Sequence, residues 1–120
     1  SAPGIAREIA SGVLREWGMG GFSGDVQVVV SELVTNALRH GTPPESIACG
    51  CGNVVRMSML HREGELVCAV HDQSDQLPML REPDSMLENG RGLQLVACFT
   101  AEWGVTQVKP RGKYVWARFD

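Results

Sequence analysis

Val30-Ser31-Glu32-Leu33-Val34-Thr35-Asn36-Ala37 carries two messages on one helical period. Val30, Leu33, Val34 and Ala37, extended backwards by Val26 and Val29, recur with the spacing of a buried helix stripe. Glu32, Thr35, Asn36 and Arg39 fall at i, i+3, i+4 and i+7, so they share the other side. A carboxylate in that position can accept a proton from a hydroxyl or a water. A carboxamide oxygen one turn further on can ligate Mg²⁺, a hard cation that prefers oxygen. A solvated helix face shows the same residue types, so the stretch acquires meaning only from what surrounds it.

Ser23 and Asp25 are good helix-starting types, and Gly41 with Pro43 and Pro44 stops the pattern, so this helix is expected from about residue 23 to about His40. Upstream, Ile5, Ile9, Val13, Leu14 and Trp17 predict an earlier helix over residues 5–17, ended by Gly18, Gly20 and Gly21. Downstream the period changes to two. Ile47, Cys49 and Cys51 alternate, as do Val55, Met57 and Met59, with Gly52-Asn53 as a bend between them. Arg62-Glu63-Gly64-Glu65 is a turn, and Leu66 to His71 is a nearly continuous apolar strand, expected at the sheet centre. Residues 73–89 are polar and contain Pro78 and Pro83, so a long loop is expected, of the kind that is usually a functional lid or disordered. A short helix is expected over Gly92 to Phe99, and strands over Glu102 to Val108 and Lys113 to Phe119, joined by Pro110-Arg111-Gly112. This order predicts an α/β (α+β) two-layer sandwich with one mixed, mostly antiparallel sheet covered on one face by helices.

A chain of 120 residues with 43% hydrophobic residues fits a single domain with one core. A net charge of −3 gives no general attraction to nucleic acid or anionic membrane, and no apolar run is long enough to span a bilayer. Nothing at the start reads as a secretion signal, and Ser1-Ala2-Pro3 reads as a tagged or processed start. Cys49, Cys51, Cys68 and Cys98 form no Cys-x-x-Cys pair, and His40, His61 and His71 stand at no zinc spacing from them. Reduced, mostly buried thiols in a cytoplasmic protein are expected.

Two further places suit a nucleotide. Asp72 closes the central strand, where a carboxylate can accept a hydrogen bond from an exocyclic amine such as that of adenine. On Asp72 alone guanine would present a carbonyl to the carboxylate, acceptor to acceptor, so ATP is expected to bind in preference to GTP. Gly90-Arg91-Gly92 opens a helix after the long loop. There glycines permit close approach, outward N–H groups suit phosphate, and Arg91 adds positive charge.

The order of these features is specific. Residues 30–37 resemble the N box of the GHKL (Bergerat-fold) ATPase superfamily, and Asp72 stands where that family has its adenine-binding aspartate. Gly90-Arg91-Gly92-Leu93-Gln94-Leu95-Val96 resembles its second glycine box. Gly112-Lys113-Tyr114-Val115-Trp116-Ala117 resembles the last strand of the anti-sigma-factor kinase-like branch. The resemblance spans roughly residues 4–119 and implies the Bergerat fold, with ATP and Mg²⁺ as cofactors. It implies Glu32 as general base, Asn36 as the Mg²⁺ ligand and Asp72 as the adenine acceptor. Gly90, Arg91, Gly92 and Leu93 would belong to an ATP lid. Lys113 is read as a surface lysine beside the turn.

The chain departs from the family's Asp-x-Gly-x-Gly box, because Ser74 and Gln76 replace the glycines. Ser74 is small, so close approach to the base is expected to survive there. The family usually has a strand before the first helix, for which this chain starts too late, so an open sheet edge is expected, suited to a partner or a second copy as a homodimer. The resemblance implies a protein serine/threonine kinase that binds a sigma factor and phosphorylates its anti-anti-sigma antagonist. The alternative is a non-catalytic, ATP-gated binding module of the same fold. A sensor histidine kinase domain fits less well, since such kinases usually carry Asn where Glu32 stands and the chain has no helical hairpin with a phosphoacceptor His.

Overall fold

The computed structural model describes residues 1–40, 55–74 and 92–120. The expected strand around Ile47, Cys49 and Cys51, the helix stop at Gly41, Pro43 and Pro44, the bend at Gly52-Asn53 and most of the 73–89 loop lie outside them. The described elements are helices α1 (Ala2–Glu16), α2 (Ser23–His40) and α3 (Gly92–Phe99), and strands β1 (Arg56–Arg62), β2 (Glu65–Asp72), β3 (Glu102–Gln107) and β4 (Lys113–Phe119). The strands form one sheet in the order β1-β2-β4-β3, every neighbouring pair antiparallel. Among the described residues this makes the expected mixed or mostly antiparallel sheet wholly antiparallel. Two hairpins build it: β1 and β2 meet at Glu63-Gly64, and the β3–β4 turn is closed by the Val108 N–H donating to the Gly112 carbonyl at 2.9 Å. β2 is central, as its apolar run predicts. No helix among the described residues is long and apolar enough to cross a membrane.

Alternation separates the two faces of the sheet. Leu66, Cys68 and Val70 of β2 and Val115, Ala117 and Phe119 of β4 are buried on the helix side. They stand directly opposite one another as Leu66–Phe119, Cys68–Ala117 and Val70–Val115. α2 lies on this surface and packs against α1, α3 and β2. Its expected core stripe, Val26, Val29, Val30, Leu33, Val34 and Ala37, is buried throughout. On the other face the Trp116 ring lies over Gly104, where an added Cβ would come within 2.5 Å of Cζ2, so that position takes only glycine without a shift.

α1 corrects one expectation. It begins at Ala2, three residues early, because the Ser1 Oγ accepts the Gly4 N–H at 3.1 Å and Pro3 fits the first turn. Its buried line is Ala6, Ala10 and Leu14, whereas Ile5 and Ile9 are 57% and 53% exposed. Reading by hydrophobicity chose the larger side chains. Close packing of α1 on α2 instead selects the neighbouring row, whose two alanines let the helices approach.

Candidate functional site

The alternation that fills the core continues one step past its apolar part. After Leu66, Cys68 and Val70, the next helix-side residue of β2 is Asp72; before Val115, Ala117 and Phe119, the preceding helix-side residue of β4 is Lys113. The register sets Asp72 directly opposite Lys113. Both are buried, with only 2% and 3% of their surfaces accessible. Lys113 Nζ donates to Asp72 Oδ1 at 2.8 Å and to the Ser74 carbonyl at 3.2 Å. The Ser74 backbone N–H donates to the same Asp72 oxygen at 3.0 Å, closing a short Asx turn at the strand end.

Lys113 is therefore no surface lysine. It shares the parity of Val115, Ala117 and Phe119, and that signal in the sequence could have placed it inside. Taking one partner from such a buried pair strands the other charge, at a cost of about 3–5 kcal/mol. Gly112 allows the strands to meet here. Its φ is +102°, and a Cβ would lie 2.7 Å from the Asp72 carbonyl oxygen and 2.9 Å from His71 Nε2.

The polar side of α2 lies in the helical layer. Glu32, Thr35 and Asn36 are half-buried and Arg39 is exposed. Glu32 lines a cleft of about 420 Å³ together with Arg7, Gly24, Gln27, Val28 and Ser31. Arg7 reaches across from α1, its Nη1 donating to Ser31 Oγ at 2.9 Å. This places a guanidinium on the wall that carries the candidate base. Arg7 escaped the sequence reading, although it follows the buried line of α1 at i, i+3 and i+7 with Ala10 and Leu14.

Of the other site residues, Ser74 is buried beside Asp72, Gly92 is the first residue of α3, and Leu93 is buried at 4% exposure. Gly90 and Arg91 lie outside the described residues. The structure thus brings Asp72, Ser74 and Lys113 into contact, and sets Glu32 and Asn36 one turn apart on α2. Asn36 offers a carboxamide oxygen, and no group of three or more His, Cys, Asp or Glu among the described residues could hold a metal by itself. A cation here would take most of its ligands from phosphate and water, as Mg²⁺ commonly does.

The thiols divide. Cys68 is buried in the core, where desolvation pushes its thiol up to about 12, while Cys98 is exposed on α3. Cys49 and Cys51 lie outside the described residues.

No curated protein matches the chain. The family model of the histidine kinase-like ATPase domain matches residues 3–119, nearly the whole of it. The α+β architecture agrees with that match, an antiparallel sheet carrying its helices on one side. The chain belongs to the histidine kinase-like ATPase domain family, within the GHKL-type ATP-binding superfamily.

Proposed function

We propose that this chain is an anti-sigma-type regulator that uses ATP and Mg²⁺ to phosphorylate a serine or threonine of an antagonist protein, and that it binds a sigma factor in the cytoplasm. The observation that supports this best is Glu32, a carboxylate lining a cleft open to solvent, one turn before Asn36 on α2. A phosphoacceptor hydroxyl needs a base within reach, and a side chain entering this cleft would meet one. Glu32 takes the hydroxyl proton as the acceptor oxygen bonds to the γ-phosphorus; the bond to the β-phosphate breaks and ADP leaves. Asn36 would hold Mg²⁺, which would supply charge neutralisation for the phosphates. Asp72 receives the adenine amine, and Gly90, Arg91, Gly92 and Leu93 close over the phosphates.

Glu32→Gln is the test. The amide keeps the shape of the carboxylate and cannot act as a base. ATP binding is expected to persist while single-turnover phosphotransfer falls on the order of 10²–10⁴-fold. One observation favours the second reading, a nucleotide-gated binding module. Ser74 and Gln76 replace the glycines of the lid hinge, and Lys113 holds the Ser74 carbonyl. That reading takes over if wild type and Glu32→Gln are equally inert toward every cognate antagonist, yet ATP alters partner affinity.

A further inference from the structure

A second cleft lies at the opposite end of the sheet from Asp72 and Lys113. β4 runs from Lys113 to Phe119, and at ~3.3 Å per residue its two ends stand roughly 20 Å apart. Three phenylalanines meet at the far end: Phe22 from the turn before α2, Phe99 from the end of α3 and Phe119 from the end of β4. The Phe22 and Phe119 rings stand edge to face, with centroids 6.5 Å apart at 67°. Phe119 is buried beneath the cleft, whereas Phe99 is 38% exposed. The cleft holds about 260 Å³. That is below the roughly 300–1,000 Å³ of small-molecule sites and suits a single long side chain.

The charge around this cleft has one sign. Asp25 and Asp120 line it, and no Lys, Arg or His does. Asp25 is exposed and makes no hydrogen bond or ion pair among the described residues. Asp120 pairs with Arg118, but that one guanidinium also faces Glu65 at 3.9 Å and Glu102 at 3.6 Å, so negative charge is left in excess. The end of α3 adds to it. The Thr100 hydroxyl donates to the Val96 carbonyl at 2.7 Å, and the later carbonyls of that turn keep the negative pole of the helix at the cleft. The N-terminus of α2 on its own would attract an anion, but Asp25 sits in its first turn and offsets it.

We infer that this cleft is a docking site for an arginine side chain of a partner protein. A guanidinium is flat and weakly hydrated, so its face stacks on an aromatic ring while its edge donates to carboxylates. Phenylalanines with carboxylates beside them satisfy both demands at once. The aliphatic stem of an arginine covers apolar surface on the way in, which favours a protein-borne side chain over a free cation. Arginine is also among the residues that most often anchor protein interfaces from such pockets. The cleft uses none of the residues assigned to ATP or to phosphotransfer, so the inference stands independently of that reading.

The probe is a capped tripeptide, acetyl-Gly-Arg-Gly-amide, titrated into the ¹⁵N-labelled full chain and followed by amide chemical shifts. Shifts are expected to gather at Phe22, Asp25, Cys98, Phe99 and Asp120, with dissociation on the order of 1 mM, because a lone anchor carries only part of an interface. The same peptide with citrulline for arginine keeps the shape and loses the charge. It is expected to bind at least about fivefold more weakly. Asp25→Asn and Phe99→Ala should each weaken the arginine peptide about 2–5-fold, the worth of an exposed charge contact or a cation–π contact. The citrulline comparison decides the matter even if a variant fails to fold. Equal binding of the two peptides overturns the inference, as do shifts gathered elsewhere, or no shift at about 20 mM peptide. Methylguanidinium binding as tightly as the arginine peptide also overturns it, because the cleft would then be a site for small cations and not for a protein side chain.

Discussion

Cys68 and Cys98 show how far one side chain's chemistry follows from its place. Cys68 points from β2 into the core, and desolvation holds its thiol neutral up to about 12. Cys98 sits exposed on α3. A thiolate-directed alkylating agent near neutral pH is expected to label Cys98 in the native protein and Cys68 only after denaturation, read by peptide mass. Equal labelling of both in the native state would place Cys68 outside the core. The sign of the pH effect follows. The folded state favours the neutral thiol, so this contribution to stability is complete below the unfolded value near 9.0 and is lost as pH rises from there through about 12. Chemical unfolding across that window should lose less stability with pH in Cys68→Val than in wild type. The parity of Cys68 with Leu66 and Val70 was readable from the chain alone. The parity of Lys113 with Val115 was equally readable, but its partner, 41 residues away, was not.

At the scale of elements, the interface between α1 and α2 separates periodicity from packing. The 3.6-residue pattern identifies both helices, yet two rows of α1, one through Ile5 and Ile9 and one through Ala6, Ala10 and Leu14, compete for the inner position. The structure buries the second. Leu14→Ala is therefore expected to cost about 2–5 kcal/mol, and Ile9→Ala less than about 0.5 kcal/mol, measured by denaturant unfolding. A large loss at Ile9 would contradict the placement of α1. The outcome could not be read from the sequence because hydrophobicity scales rank Ile above Ala, while the distance between two packed helices rewards the smaller side chain.

For the whole molecule, a ligand that binds only the folded chain must raise its stability. ATP with Mg²⁺ at about one hundred times its dissociation constant should add about 2.7 kcal/mol, visible as an upward shift of Tm. Asn36→Ala should abolish the Mg²⁺-dependent part of that shift while the apo Tm stays close to wild type, since Asn36 is half-buried at the edge of the stripe formed by Leu33 and Ala37 and belongs to no buried core position. If the apo variant unfolds instead, Asn36 holds the fold and does not serve the metal.

The sequence by itself determined which of the described stretches are helix and which are strand, the inward face of α2, the central place of β2, and the family-like run of Glu32, Asn36 and Asp72. These are properties of short windows, because a helix repeats every few residues and a strand every second one. Only the tertiary structure decided which row of α1 turns inward, that Glu32 shares a cleft with Arg7, and that Asp72 is locked to Lys113. Each of those depends on how distant segments come into register. That register is set by filling one common core, so no local stretch of the chain contains it.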